Sequence, residues 1–286
     1  MIKIAVLMCC YNRKEKTVDA INKIYNQSNG GKYKFDIYLL DDGSSDGTSE
    51  SVQLKFPDVN VIKGDGSYFW NGGMRKAYNT AKQKEYDFYI WMNDDTFIHD
   101  NAFKILLDTN FMLNESKSPK IIVGTTVNKN GIVTYGGVKK VSPTRPVKYR
   151  VVTPDEKNPK ECDTINGNIV LIDKSVYQLI GNLDPVFVHG MGDFDFGLRA
   201  KGKGTKIFIA PGILGICERN SVKGTYNDTE FSLSIAIKKL LSIKGLPVKQ
   251  WFTFTKRHSG PFWLVYFTKP YVEFIPKFIF KKYLNR

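Results

Sequence analysis

The chain has 286 residues, 42% of them hydrophobic, and a formal net charge of +14; that is enough for a sizeable core in one large α/β domain, with or without an appendage. Its four cysteines, the adjacent Cys9 and Cys10 and the isolated Cys162 and Cys217, make neither a disulfide framework nor a CxxC zinc pattern, which favours a reducing cytoplasm. No run approaches the roughly 18 apolar residues of a membrane-spanning helix. The start "MIKIAVLMCCYNR" ends in Tyr-Asn-Arg rather than in a small-residue cleavage site, and reads as a first strand, not a signal peptide.

Residues 3–11, "KIAVLMCCY", are a continuous apolar run, as in a strand buried on both faces of a parallel sheet. Residues 15–27 follow with Val18, Ile21, Ile24 and Tyr25 at helical intervals. Residues 35–48 read as a second strand ending in "DDGSSDGT", 49–56 as a short helix and 59–64 as a third strand. Residues 72–84, "GGMRKAYNTAKQK", read as a helix entered through glycines, and 86–95, "YDFYIWMNDD", as a fourth strand. Such alternation predicts a Rossmann-like, mostly parallel, doubly wound sheet, whose ligands gather at the carboxyl ends of the strands. Tyr11 to Arg13, Asp41 to Ser45, and the pair Asp94 and Asp95 all fall at such ends.

Carboxylates ending a buried strand are unfavourable unless solvated, paired or bound to a cation. An oxygen pair suits Mg²⁺ or Mn²⁺. The plainer reading has Asp94 capping a helix that starts near Phe97, with Asp95 in its first turn.

Taken together, "CYNR", "DDGSSDGT", "WNGGMRKAYNTA" and "NDD" at successive strand ends resemble the inverting family 2 glycosyltransferases of GT-A fold, over residues 4–212. "WNGG" and the later "GDFDFGLRAKGKG" look most like bacterial members that build O-antigens and capsules, including the rhamnosyltransferase-like branch. The resemblance implies a metal-assisted single displacement from a UDP- or dTDP-sugar to a hydroxyl of a growing glycan or polyprenyl-diphosphate-linked acceptor. It places Tyr11, Asn12 and Arg13 against the nucleoside, and Asp41 or Asp42 as acceptor for the N3–H of its base. Gly72 and Gly73 would admit the nucleotide to a helix start, and Arg75 would counter diphosphate charge. Asn93 and Asp94 would face the ribose, and Asp95 would hold the metal. Trp70, Gly167, Asn168 and Asp195 would line the donor-sugar and acceptor cleft. In "GDFD" the resemblance makes Asp193 the base, with Gly192 where the family usually has Glu. Asp195 has a second reading, an i, i+4 link to Arg199. "APGILGICERNS" offers Cys217 and Glu218 but no evident third metal ligand; His189 reads as a cleft or structural residue, and His99 as a surface one.

These signals imply a glycosyltransferase domain over 1–225, with a nucleotide half at 1–100 and an acceptor and catalytic half at 101–225, followed by a basic aromatic extension at 226–286. Residues 139–161 read as a polar loop, a candidate lid. Residues 244–286 hold nine Lys or Arg against one acid, Glu273, so they carry +8 of the +14. Without an RNP, zinc-finger or helix-turn-helix signature, nucleic acid is not an expected partner. Lysines interleaved with aromatics, broken by Pro261, Pro270 and Pro276, suggest peripheral attachment at the inner face of the membrane, with packing of the extension on the core or a dimer contact as the alternatives. Two other classes remain open, a sugar nucleotidyltransferase, against which "CCYNRKEKT" lacks a Gly-rich phosphate loop, and a non-catalytic basic module.

Overall fold

The run of apolar residues at the N-terminus becomes a strand in the middle of the sheet in the computed structural model, which describes residues 1–27, 31–113, 118–142 and 147–284. The chain begins β1 (Ile2–Cys10), α1 (Lys14–Tyr25), β2 (Tyr33–Asp41), α2 (Thr48–Lys55), β3 (Asn60–Lys63), α3 (Phe69–Ala81) and β4 (Phe88–Met92). It continues through β5 (Phe97–Ile98), α4 (Ala102–Met112), β6 (Lys120–Val123), β7 (Thr126–Val127), β8 (Val133–Tyr135), β9 (Gly137–Lys140), β10 (Tyr149–Val151), β11 (Lys160–Glu161), β12 (Thr164–Ile165) and β13 (Ile169–Asp173). Last come α5 (Lys174–Ile180), α6 (Gly192–Gly202), β14 (Lys206–Ile209), β15 (Gly215–Ile216), α7 (Leu233–Leu241), α8 (Val248–His258), a 3-10 turn (Gly260–Phe262) and α9 (Trp263–Leu284).

The main sheet has the order β11-β14-β6-β13-β4-β1-β2-β3. β1 pairs in parallel with β2 and β4, so the order reverses beside β1, the kind of switch point where open α/β sheets bind ligands. β13 runs antiparallel between β4 and β6, making the sheet mixed rather than uniformly parallel. Alternate residues of β1 feed opposite cores: Ile4, Val6 and Met8 pack with Val18, Ile21 and Ile24 of α1, while Ala5, Leu7 and Cys9 pack with Met74 and Ala77 of α3. Covering both faces is what makes a continuous apolar strand stable.

Three expectations need correction. Residues 139–161 are not a featureless loop, because β10 pairs antiparallel with β9; residues 143–146 of that segment lie outside the described residues. No helix starts near Phe97, where β5 forms instead, so Asp94 and Asp95 do not cap one; α4 begins at Ala102. In the extension, α9 runs unbroken through Pro270 and Pro276. Phe274 and Phe278 of α9 close a small separate core with Ala236 and Leu240 of α7.

Candidate active site

β4 delivers Asp94 and Asp95 to the switch point beside the end of β1, which delivers Arg13. One guanidinium nitrogen of Arg13 lies 2.9 Å from Asp94 Oδ1 and 2.8 Å from Asp95 Oδ2. Asp94 is 5% exposed. Burial pushes its carboxyl up to about 6 and Arg13 works against the rise, while the charge on Asp95 adds to it. Asp94 Oδ2 is buried without a hydrogen-bond partner.

Two adjacent carboxylates, one with a free buried oxygen, suit a hard divalent cation that completes its shell with phosphates and water. Among the described residues no three His, Cys, Asp or Glu side chains cluster, so Asp94 and Asp95 would be the protein's share of an Mg²⁺ or Mn²⁺ site. Cys217 Sγ lies 3.8 Å from Asp95 Oδ1 and accepts from Asn168 Nδ2 at 3.3 Å. Burial and then the Asp95 charge push this thiol up to about 11, keeping it protonated. Glu218 instead accepts the Lys129 N–H.

At the end of β2 the two acids divide. Asp41 is buried, and its oxygens accept from the Ser44 N–H and the Ser49 hydroxyl, so it organises its own turn rather than facing a base. Asp42 lines the cleft and accepts three backbone N–H groups, of Gly66, Tyr68 and Phe69; it anchors the start of α3 from a distance. Asn12 accepts the Ser45 N–H, tying the β1 and β2 ends together, and Tyr11 is half exposed beside them.

α3 starts at Phe69, and Gly72 and Gly73 lie inside it. A Cβ on Gly73 would overlap Cys9 Sγ, so this glycine lets α3 seat against the sheet. Arg75 points elsewhere, lining a separate cavity with Asn79 and Asn182; Arg13 is the arginine of the cleft. Trp70 does line the cleft, and its indole N–H donates to Asn93 Oδ1 at 2.7 Å. Asn93 is thereby turned to Trp70, and its N–H donates to the Asn168 carbonyl.

Asp193 stands in the first turn of α6. Its Oδ2 accepts the Gly167 N–H at 3.1 Å and its Oδ1 accepts its neighbour Phe194's N–H. Desolvation pushes its carboxyl up to about 6, against the pull of those two N–H groups. Gly167 packs so closely on the Trp70 ring that a Cβ would collide with it, which joins Asp193, Gly167 and Trp70 in one wall. Gly192, where Glu was expected, is filled from outside: a Cβ there would overlap Asn71, whose amide donates to the His189 carbonyl.

Asp195 is not a cleft residue. Fully buried, it accepts from Arg199 Nε (2.7 Å), Arg257 Nη1 (3.1 Å) and His258 Nε2 (2.9 Å). The i, i+4 reading stands, and two partners arrive from α8.

A cavity of about 330 Å³ joins Cys9, Tyr11, Arg13, Asp42, Trp70 and Asp94. Sequence reasoning did not assign five of its lining residues to the site: Cys9, Cys10, Gly66, Phe69 and Lys244. Phe69 has φ 51°, unusual for a bulky residue, and is held there by Asp42. Lys244 lies far along the chain, and its only signal was the change to basic composition.

Solved structures share the fold. S. aureus TarS matches with a TM-score of 0.55 and 15% identity, over 89% of this chain and 42% of that one, so this chain spans less than half of TarS. TarS 1-349 in complex with UDP matches with a TM-score of 0.54 and 14% identity, over 89% and 70% of the two chains. No curated protein sequence matches significantly. Residues 5–178 match the family model for Glycosyl transferase family 2; with more than half of its length matched, the chain belongs to that family.

Proposed function

We propose that this glycosyltransferase moves a sugar from a UDP- or dTDP-sugar to an acceptor hydroxyl by single displacement with inversion. The observation that carries the reading is the Arg13-bridged pair Asp94 and Asp95 at a cavity walled by Trp70, with the carboxylate of Asp193 bonded to Gly167, which packs on the Trp70 ring. Tyr11 and Asn12 line the nucleoside end; Asp42 is the acid there that faces the cavity. The UDP complex of the structural relative TarS 1-349 supports a uridine nucleotide.

Asp193 is the general base. Its two backbone N–H partners orient the carboxylate, and a value near 6 leaves it ionised at neutral pH yet basic enough to take a proton. As the acceptor oxygen bonds to the anomeric carbon, its proton passes to Asp193. The anomeric C–O bond to the diphosphate breaks and its electron pair leaves with the nucleoside diphosphate. A divalent metal at Asp94 and Asp95, when bound, would stabilise that developing charge electrostatically. Trp70 and Gly167 form the wall against which the sugar sits.

The acceptor is proposed to be a glycan of the O-antigen or capsule type on a polyprenyl diphosphate, met at the inner membrane face. No described helix is long and apolar enough to cross a membrane. α9 instead exposes Leu264, Val265, Val272, Ile279 and Phe280 on a helix that also carries lysines, a composition suited to an interface. Family membership sets the nucleotidyltransferase alternative aside. The test is hydrolysis and thermal shift across UDP- and dTDP-sugars with Mn²⁺ or Mg²⁺. A donor is expected to stabilise the protein and be hydrolysed only with metal; no response to any of these donors overturns the reading.

A further inference from the structure

The α7–α8 turn reaches the cavity that residues of the first hundred and His189 build. Lys244, the first residue of the basic tail, shares its wall with Arg13 and Asp94. The turn is tight enough to fix that position. Gly245 donates its N–H to the Ser242 carbonyl, Leu246 folds back onto the Leu240 carbonyl, and a Cβ on Gly245 would overlap the carbonyl oxygens of Lys239 and Leu240. The chain therefore reverses immediately after α7, with Lys244 at the bend.

The Lys244 ammonium lies 6.0 Å from the centroid of the Phe69 ring, at the outer edge of cation–π range. Phe69 is itself fixed. Its left-handed backbone is sparsely populated for an aromatic residue and is held by the 2.7 Å bond from its N–H to Asp42. Its ring meets His189 edge to face. Burial, and then Lys244 and Arg13, depress the His189 pKa, leaving a neutral imidazole.

The charges around this cavity are unevenly satisfied. Arg13 is taken up by Asp94 and Asp95. None of the ion pairs formed among the described residues includes Lys244. An adjoining cavity shares Phe69 and Lys244 and adds Lys223 and Lys239 to its wall with no carboxylate. Two buried polar atoms at the cavity, Asp94 Oδ2 and His189 Nδ1, have no partner. A free ammonium, a rigid aromatic platform beneath it and unpartnered polar atoms beside it form a place for an anion that also brings a cation to the acids.

We propose that Lys244 binds the diphosphate of the nucleotide sugar, so that the C-terminal extension forms part of the donor site. The assignment rests on the nucleotide-sugar reading above. It also gives the departing nucleoside diphosphate a protein cation independent of the metal. A lysine serves here as a point charge on a flexible stem, so a positively charged replacement should largely preserve its role.

Calorimetric titration of the full chain in Mn²⁺ with UDP, dTDP and uridine tests this. Lys244→Met is expected to weaken nucleoside diphosphate binding by about tenfold or more, the usual scale for a charged hydrogen bond, and to leave uridine binding within about twofold. Lys244→Arg should retain most of the affinity. Lys223→Met, confined to the adjoining cavity, should change UDP binding by less than about threefold, as expected for an exposed charge. Unchanged UDP and dTDP affinity in Lys244→Met overturns the assignment, as does an equal loss for uridine. An equal loss in Lys223→Met overturns it too, because the effect would then be the general field of the lysines. Wild-type protein that binds neither diphosphate removes the nucleotide-sugar reading itself, and this assignment with it.

Discussion

Asp195 accepts a hydrogen bond from His258 Nε2 at 2.9 Å, across 63 residues of chain. With Arg257 on the same oxygen and Arg199 on the other, this buried carboxylate latches α8 onto α6, the helix that carries the candidate base. Removing one partner of a buried ionic cluster leaves the others uncompensated. Asp195→Ala is therefore expected to destabilise the protein by about 3 kcal/mol, seen as a lower denaturation midpoint. Burial raises the Asp195 pKa, but hydrogen bonds from His258 and Arg199 overcome it and hold the carboxyl below its ordinary value. Its stabilisation is therefore complete above the unfolded value of about 3.9 and is lost as pH falls through the lower folded value. Denaturation curves below pH 4 should converge for wild type and variant; a constant gap at every pH contradicts the latch.

Asp193→Asn removes basicity and keeps the shape. Turnover should fall by about 10² to 10⁴, with UDP affinity and fold retained. In the wild type, kcat should decline as pH falls below about 6, where the carboxyl takes up its proton. The raised value has a second consequence: the neutral form is favoured in the folded state, and that contribution is lost as pH rises through about 6. Asp193→Asn should accordingly melt no lower than wild type at pH 8. A variant that keeps more than about a tenth of the turnover is incompatible with a general base.

Asp95→Ala should abolish transfer and leave nucleotide binding indifferent to chelator, because only Asp94 of the acid pair would remain. Titration of UDP with Mn²⁺ and with EDTA checks this. Metal-dependent affinity that survives the substitution would falsify the metal assignment.

Lys269 and Lys277 flank Glu273 on α9 and pair with it, whereas Phe280 and Tyr283 are mostly exposed. Vesicles containing anionic lipid should sediment the protein at low salt and release it as salt rises. Phe280→Glu should weaken that binding without disturbing the Phe274 and Phe278 packing. Equal sedimentation of the variant would point to adsorption elsewhere on the surface.

Gly73→Ala should destabilise by about 1–3 kcal/mol despite the better helix propensity of alanine, because the new methyl has no room against Cys9 and Leu40. Thermal melts measure it. If nucleotide affinity falls without any loss of stability, Gly73 belongs to the ligand site after all.

What the sequence determined by itself is the part governed by local periodicity and turn chemistry. Continuous apolar runs and helical spacing gave the order of β1 to β4 and their intervening helices, and the acids after β4 marked the ligand end of the sheet, because polar groups ending buried strands need partners. Arg13 and Trp70, expected at the site from their motifs, do line the cavity. Tertiary structure alone decided which of several similar residues face the cleft. Asp41 and Asp42 are neighbours in sequence, yet Asp41 closes its own turn and Asp42 reaches forward to α3. Asp193 and Asp195 are two apart on a helix, so their side chains diverge, one to Gly167 and the other to Arg257 and His258. Gly73 and Arg75 depend on the face of α3 they occupy against the sheet, and Lys244 on a chain reversal whose contacts lie more than a hundred residues away from Arg13 and Asp94. Spacing along a chain carries no information on such long-range contacts, which form only when helices pack across the sheet.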